Sequence, residues 1–197
     1  TKTKEYDGGV TAAVTAGTLS GKVGADVVTI DTATATYATS AVGDPKTITV
    51  VYTITGTDAA NYLAPANTVD TAGAITAKAL NVTATGPSKI YGTALSAGTS
   101  GTNFSAGATG VGSEVVTSVT LTPDAAGLAA DTHAGLGYVV TPSLATGTGG
   151  FLASNYNITY DHYDGTVAQK QLSIAAPTLT KTKEYDGGVT AAVTAGT

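Results

Sequence analysis

The chain contains no cysteine, so neither a disulfide nor a thiolate metal site can form. Tryptophan and methionine are absent, and there are only two phenylalanines beside ten tyrosines. So few large rings suit thin sheets better than a deep enzyme interior. Arginine is missing as well: all nine basic residues are lysines, and the net charge is −5. That balance argues against a nucleic-acid partner, which needs Lys and Arg to neutralise phosphates, and against an anionic membrane surface. No apolar run approaches the roughly 20 residues that span a bilayer, so no membrane insertion is expected. No leader pattern is present. The sequence starts inside a repeat, which places the targeting signals of a larger parent elsewhere.

What is abundant is threonine, about a fifth of the residues, with alanine and 25 glycines. Threonine favours pleated strands and glycine interrupts them. The expected fold is mainly β, with two small cores.

The stretch "TKTKEYDGGVTAAVTAGT" fills positions 1–18 and returns unchanged at 180–197, a period of 179 residues. Such identity points to a tandem array whose partners are neighbouring identical repeats. A weaker repeat lies within the period. "GAITAKALNVTA" (73–84) matches "GTVAQKQLSIAA" (165–176), 92 positions on. Asn61-Tyr62 and Asn155-Tyr156 precede these segments, and Lys89-Ile90-Tyr91 and Lys183-Glu184-Tyr185 follow them, both resembling Lys4-Glu5-Tyr6. The expected organisation is therefore a first β module over 1–78, a second over 79–176, and the start of the next first-type module over 177–197. The two full modules are of a size ordinary for an antiparallel, Ig-like β-sandwich. A β-grasp-like fold with a short helix is the alternative.

Alternation predicts the strands. Ile48, Val50, Tyr52 and Ile54 share a face, as do Leu136, Tyr138 and Val140, and Tyr156, Ile158 and Tyr160. In "VTIDTATATY" the phase shifts at Asp31-Thr32, which predicts a bulge. "DAANYLA" and "FLASNY" suit one helical turn each. Ile75 and Leu80, like Val167 and Leu172, are an odd number apart. Each pair therefore marks a strand that ends one module and begins the next after two or three residues. Such short joints restrict bending and predict a rod-like array, with modules of roughly 30 to 45 Å if ten-residue strands run along it.

The candidate site residues fall into turns. Tyr6-Asp7-Gly8, Tyr185-Asp186-Gly187, Tyr91-Gly92 and Asp164-Gly165 read as structural turn motifs, because Asp-Gly and Gly-Gly accept the positive φ of tight turns. A calcium ion at Asp7 is the sharper alternative, although calcium takes six to eight oxygens and no acidic ladder is visible. Asp161, His162 and Asp164 form a weak metal candidate, His162 and Asp164 sharing one strand face. His133 is expected in a solvated loop. Lys4, Lys78, Lys89 and Lys170 near module ends read as edge lysines that discourage aggregation. A lysine–asparagine amide staple using Asn61, Asn155 or Asn157 is a competing idea. No nucleophilic elbow, zinc helix or phosphate loop occurs, so no catalytic residue, no cofactor and no enzyme activity is expected.

"KEYDGGVTAAV" with "GTDAANYLAPANTVDTAGAITAKAL" resembles the YDG-type repeat of large bacterial surface proteins. "LNVTATGPSKIYGTALSAG" with "SNYNITYDHYDGTVAQKQLSI" is similar to the companion MBG-type module with its YG motif. Together they cover nearly the whole period; only "SAGTSGTNFSAGATGVGSE" looks longer and looser than the pattern. The resemblance implies a non-catalytic stalk or spacer of a filamentous-haemagglutinin-like adhesin or surface filament, extracellular and extending a functional tip from the cell. The competing readings are a module that binds surface glycans or proteins, and a subunit that assembles with like filaments by donating a strand from its last 18 residues.

Overall fold

The computed structural model describes residues 2–179 and 181–196; Thr1, Thr180 and Thr197, the ends of the duplicated stretch, lie outside them. The described chain is mainly β, with one short α-helix. Strands β1 (Thr3–Glu5), β2 (Thr11–Ala12), β3 (Thr29–Tyr37), β4 (Gly43–Thr55) and β5 (Thr68–Thr76) form one sheet in the order β1-β5-β4-β3-β2. Its pairs are antiparallel except β1 with β5, which is parallel. The alternation of β4 is realised: Ile48 is buried, and Val50, Tyr52 and Ile54 are half-buried, between exposed Val51, Thr53 and Thr55. The pairing of β3 with β4 slips between Ile30 and Ala33, which is the bulge expected at Asp31-Thr32.

Only Ala77 separates β5 from β6 (Lys78–Ala84). The turnover at this joint buries both Ile75 and Leu80. Beyond it, β7 (Gly98–Ser100), β8 (Phe104–Ala106), β9 (Val115–Pro123), β10 (Gly137–Thr148), β11 (Tyr156–Asp161) and β12 (Tyr163–Thr166) complete two further sheets. One runs β12-β10-β9-β7; the other is β11-β6-β8, with β6 parallel to β11 and antiparallel to β8. The two meet where β6 and β11 lie on β10. Leu80, Val82 and Ala84 face Val119, Leu121, Tyr138 and Val140 across that contact. Single 3-10 turns form at Ala59–Asn61 and Ala153–Asn155, where the two "NY" segments predict them.

The weak internal repeat has a structural counterpart. Glu5 pairs in parallel with Thr76, and Ile90 pairs in parallel with Ala168. The Tyr6 amide donates to the Thr76 carbonyl and the Tyr91 amide to the Ala168 carbonyl, both at 2.9 Å.

Several expectations need correction. The Gly- and Ser-rich stretch is not loose: it carries β7 and β8 and buries Thr109, Val111 and Glu114. Asp164-Gly165 is not a turn but part of β12, paired with β10. Gly165 is required there because a Cβ would sit 2.2 Å from Cζ of Tyr138. Lys89 is not an edge lysine. It is fully buried, and its ammonium donates to the carbonyls of Ala126 (2.5 Å), Gly127 (3.2 Å) and Ala129. Those carbonyls end α1 (Ala125–Leu128), where a cation satisfies groups the helix leaves unbonded. At four residues α1 is too short to show a 3.6-residue stripe in the sequence. Its signal was Asp124, whose side chain caps the Gly127 amide at 2.7 Å.

After β12 the chain changes character. β13 (Thr178–Leu179) and β14 (Val193–Thr194) form a two-stranded ribbon, and Leu172, Ile174, Tyr185 and Val189 are exposed.

Candidate functional site

A buried polar cluster lies where the five-stranded sheet meets the second half of the chain. Tyr6 leaves β1 in a "YDGG" turn that is locally determined. Asp7 accepts from the Gly9 amide at 2.8 Å, Lys4 donates to Asp7 at 2.6 Å and to the Gly9 carbonyl at 2.8 Å, and Gly8 takes φ +79°. The Lys4 ammonium holds the Asp7 carboxyl below the usual range. A Cβ on Gly8 would meet Val111 at 2.8 Å, so the turn abuts the second half directly.

The turn aims the Tyr6 ring inward. Its hydroxyl donates to Oε1 of Glu114 at 2.5 Å, and Tyr156 donates to Oε2 of the same carboxylate at 2.7 Å. Tyr6 and Tyr156 meet edge to face at 5.6 Å, and Phe151 stacks on Tyr156 at 5.1 Å. Asn155, also buried, accepts from the Val42 amide at 3.1 Å, a second link between the halves. Glu114 is held by its backbone as well: its carbonyl accepts from Thr109 at 2.6 Å and its amide donates to Val111. Burial first, then the Glu114 carboxylate, pushes both tyrosine hydroxyls above the ordinary value. One carboxylate thus fastens a tyrosine from each side, with charge-assisted bonds in an apolar surround. This arrangement binds parts of the chain together.

A similar but simpler arrangement occurs in the first half. Tyr62 donates to Asp26 at 2.6 Å, as Tyr156 does to Glu114. The turns carrying the two acids match: the Asp26 amide donates to Val23 (3.1 Å) and the Glu114 amide to Val111 (3.0 Å). Gly24 and Gly112 have φ of +55° and +47°. Glu114 is not legible as a site residue from its immediate neighbours in sequence. Its signal was "VGADVV" (23–28) against "VGSEVV" (111–116), followed in each half by Asn-Tyr.

The other predicted residues scatter. Tyr185-Asp186-Gly187 repeats the turn faithfully, with Lys183 on Asp186 at 2.7 Å and Gly187 at φ +74°, yet Tyr185 is 97% exposed where Tyr6 is 4% exposed. Tyr91 is partly exposed and stacks on His133 with centroids 6.1 Å apart, so His133 has a partner; Gly92 has φ +84°. Asp161 accepts from Asn81 at 2.8 Å, and His162 lies 3.4 Å from Asp164. Among the described residues no group of three or more His, Asp or Glu is placed to hold a metal. Lys78 faces Glu5 at 3.8 Å.

Residues 1–69 match the family model of the YDG domain. No curated protein and no solved structure matches the chain.

Proposed function

We propose that the chain is a repeat of an extracellular bacterial stalk, a spacer of two tandem Ig-like β modules that carries a functional tip away from the cell. The observation that carries this reading is the Tyr6–Glu114–Tyr156 clamp. A spacer must hold its links at a fixed angle, and a buried, fully bonded contact across a one-residue joint does that. The matching pairs Glu5–Thr76 and Ile90–Ala168 support two links built to one plan. The match to the YDG domain supports the identity of the first, and the 18-residue identity supports serial copies. Quasi-one-dimensional arrays of this kind gain length with each copy.

The test is solution scattering on chains of one, two and four 179-residue periods. A maximum dimension that rises by a constant increment per period is expected. A dimension that grows only as the cube root of length, as in a compact body, overturns the proposal. A glycan array run alongside separates the binding reading, which requires saturable hits on the single period.

A further inference from the structure

The two halves carry one set of groups in two states, covered and uncovered. Around the clamp, Val111, Glu114, Asn155 and Tyr156 are all buried. The matching turn and the matching Asn-Tyr make Val23, Asp26, Asn61 and Tyr62 their counterparts. Tyr62 holds Asp26 as Tyr156 holds Glu114. Yet Val23 is 70% exposed, Asn61 is exposed, and Asp26 and Tyr62 are half-buried. What covers the buried set is the turn that follows β1: Tyr6 bonds Glu114, and Gly8 lies against Val111. The uncovered set is built to take a turn of the same kind.

The second half presents such a turn. Tyr91 follows Ile90, which pairs in parallel with Ala168, as Tyr6 follows Glu5, which pairs in parallel with Thr76. The amides of both tyrosines make the matching bond. The turn is one residue shorter, and Gly92 has φ +84° where Gly8 has +79°. The Tyr91 ring is 39% exposed, and its hydroxyl has no hydrogen-bond partner among the described residues. The chain also carries its next repeat to this place. Residues 170–176 match 78–84, and Gln169 stands where Ala77 joins β5 to β6. A Cβ on Gly196, the copy of Gly17, would meet the Ala175 carbonyl oxygen at 2.1 Å. Their counterparts Ser105 and Thr83 are partners in the pairing of β8 with β6. Residues 170–176 thus open the following first-type half as β6 opens the second.

We infer that consecutive periods of one chain are fastened by a second clamp. In it the Tyr91 hydroxyl donates to the Asp26 carboxylate of the following period, beside that period's Tyr62, and the Tyr91-Gly92 turn covers its Val23. Every joint then has one acid holding a tyrosine from each side: Glu114 within a period, Asp26 between periods. A bond to a carboxylate shielded from water is the stronger kind. This clamp presupposes the serial repeat proposed above and deepens it, naming the contact that sets one period against the next.

A chain of two 179-residue periods closed by the 18-residue copy contains one such joint. The sequence has no cysteine, so Val23→Cys gives a single thiol, placed either in the leading period or in the trailing one. A maleimide should label the trailing thiol at least about tenfold more slowly, since a covered site reacts only when it opens. Equal rates overturn the proposal. Tyr91→Phe then tests the hydroxyl. In the leading period it should speed labelling of the trailing thiol at least about tenfold, the loss of one bond to a charged group; in the trailing period it should change that rate less than about twofold. Equal effects of the two placements refute the clamp. Should the cysteine variants misfold, denaturant unfolding of the two Tyr91→Phe placements decides in the same sense: a lower midpoint for the leading one alone supports the clamp, and equal midpoints refute it. A constant scattering increment with equal labelling sinks the clamp and leaves the spacer standing, whereas compact scattering sinks the spacer whatever the labelling.

Discussion

The duplicated stretch allows one chemical change to be made twice in identical sequence. Tyr6→Phe removes a single hydroxyl from the clamp, and Tyr185→Phe removes the same hydroxyl from an exposed ring. In the clamp the hydroxyl bonds a carboxylate at 2.5 Å, and bonds to charged groups contribute about 1.5–3 kcal/mol. Glu114 keeps its bond from Tyr156, so the carboxylate is not orphaned and the loss should stay in that range. For a chain of this size that is about 3 to 12 °C in Tm. Tyr185→Phe should fall within about 0.5 kcal/mol of the parent. Denaturant unfolding of both variants, followed by far-UV dichroism, measures the difference directly. Equal midpoints for the two variants would refute the claim that the clamp joins the halves, since nothing but tertiary context separates the two tyrosines.

Three further outcomes follow from the geometry. Glu114→Ala leaves two buried hydroxyls without their acceptor and should cost more than Tyr6→Phe, roughly 2 to 6 kcal/mol at about 1–3 per orphaned group; the same unfolding assay checks it. Stability should fall as pH rises past about 10: Tyr6 and Tyr156 have raised folded pKa values, so the unfolded chain releases its protons first and is favoured. Their contribution is complete below that pH and is lost above it, so Tyr6→Phe should flatten the decline above about pH 10. Lys89→Met removes the cation from the α1 carbonyls and should destabilise by about 2 to 4 kcal/mol, whereas Lys4→Met, at the more exposed turn, should cost about 1 kcal/mol or less; thermal unfolding distinguishes them.

Features that are local in cause could be read from the sequence. The bulge at Asp31-Thr32 follows from a phase slip, and the "YDGG" turn forms in both copies because Lys, Asp and Gly satisfy one another within six residues. The joint at Ile75 and Leu80 follows from an odd spacing on a period of two. Features that depend on distant partners were not legible. Tyr6 and Tyr185 have the same neighbours in sequence, so no local reading could tell that one is buried and the other exposed. Glu114 lies in a stretch dominated by Gly, Ser and Ala, and its role arises from Tyr6, 108 positions away. Lys89 reads as a surface lysine because the carbonyls it caps belong to a helix 37 residues on. Gly165 follows an aspartate and so reads as a turn, whereas the overlying Tyr138 ring is what requires it.

The parallel pairing of β1 with β5 has a mechanical consequence. These strands are the first and last of their sheet in chain order, and they run side by side in one direction. Tension along the chain therefore pulls them past each other lengthwise. The bonds Ala74 to Lys2 and Tyr6 to Thr76 must yield together under such sliding, not one after another as in a peeled hairpin. Ile90 and Ala168 repeat the arrangement in the second half, so a pulled filament of these repeats would meet its resistance at two shear points in every period.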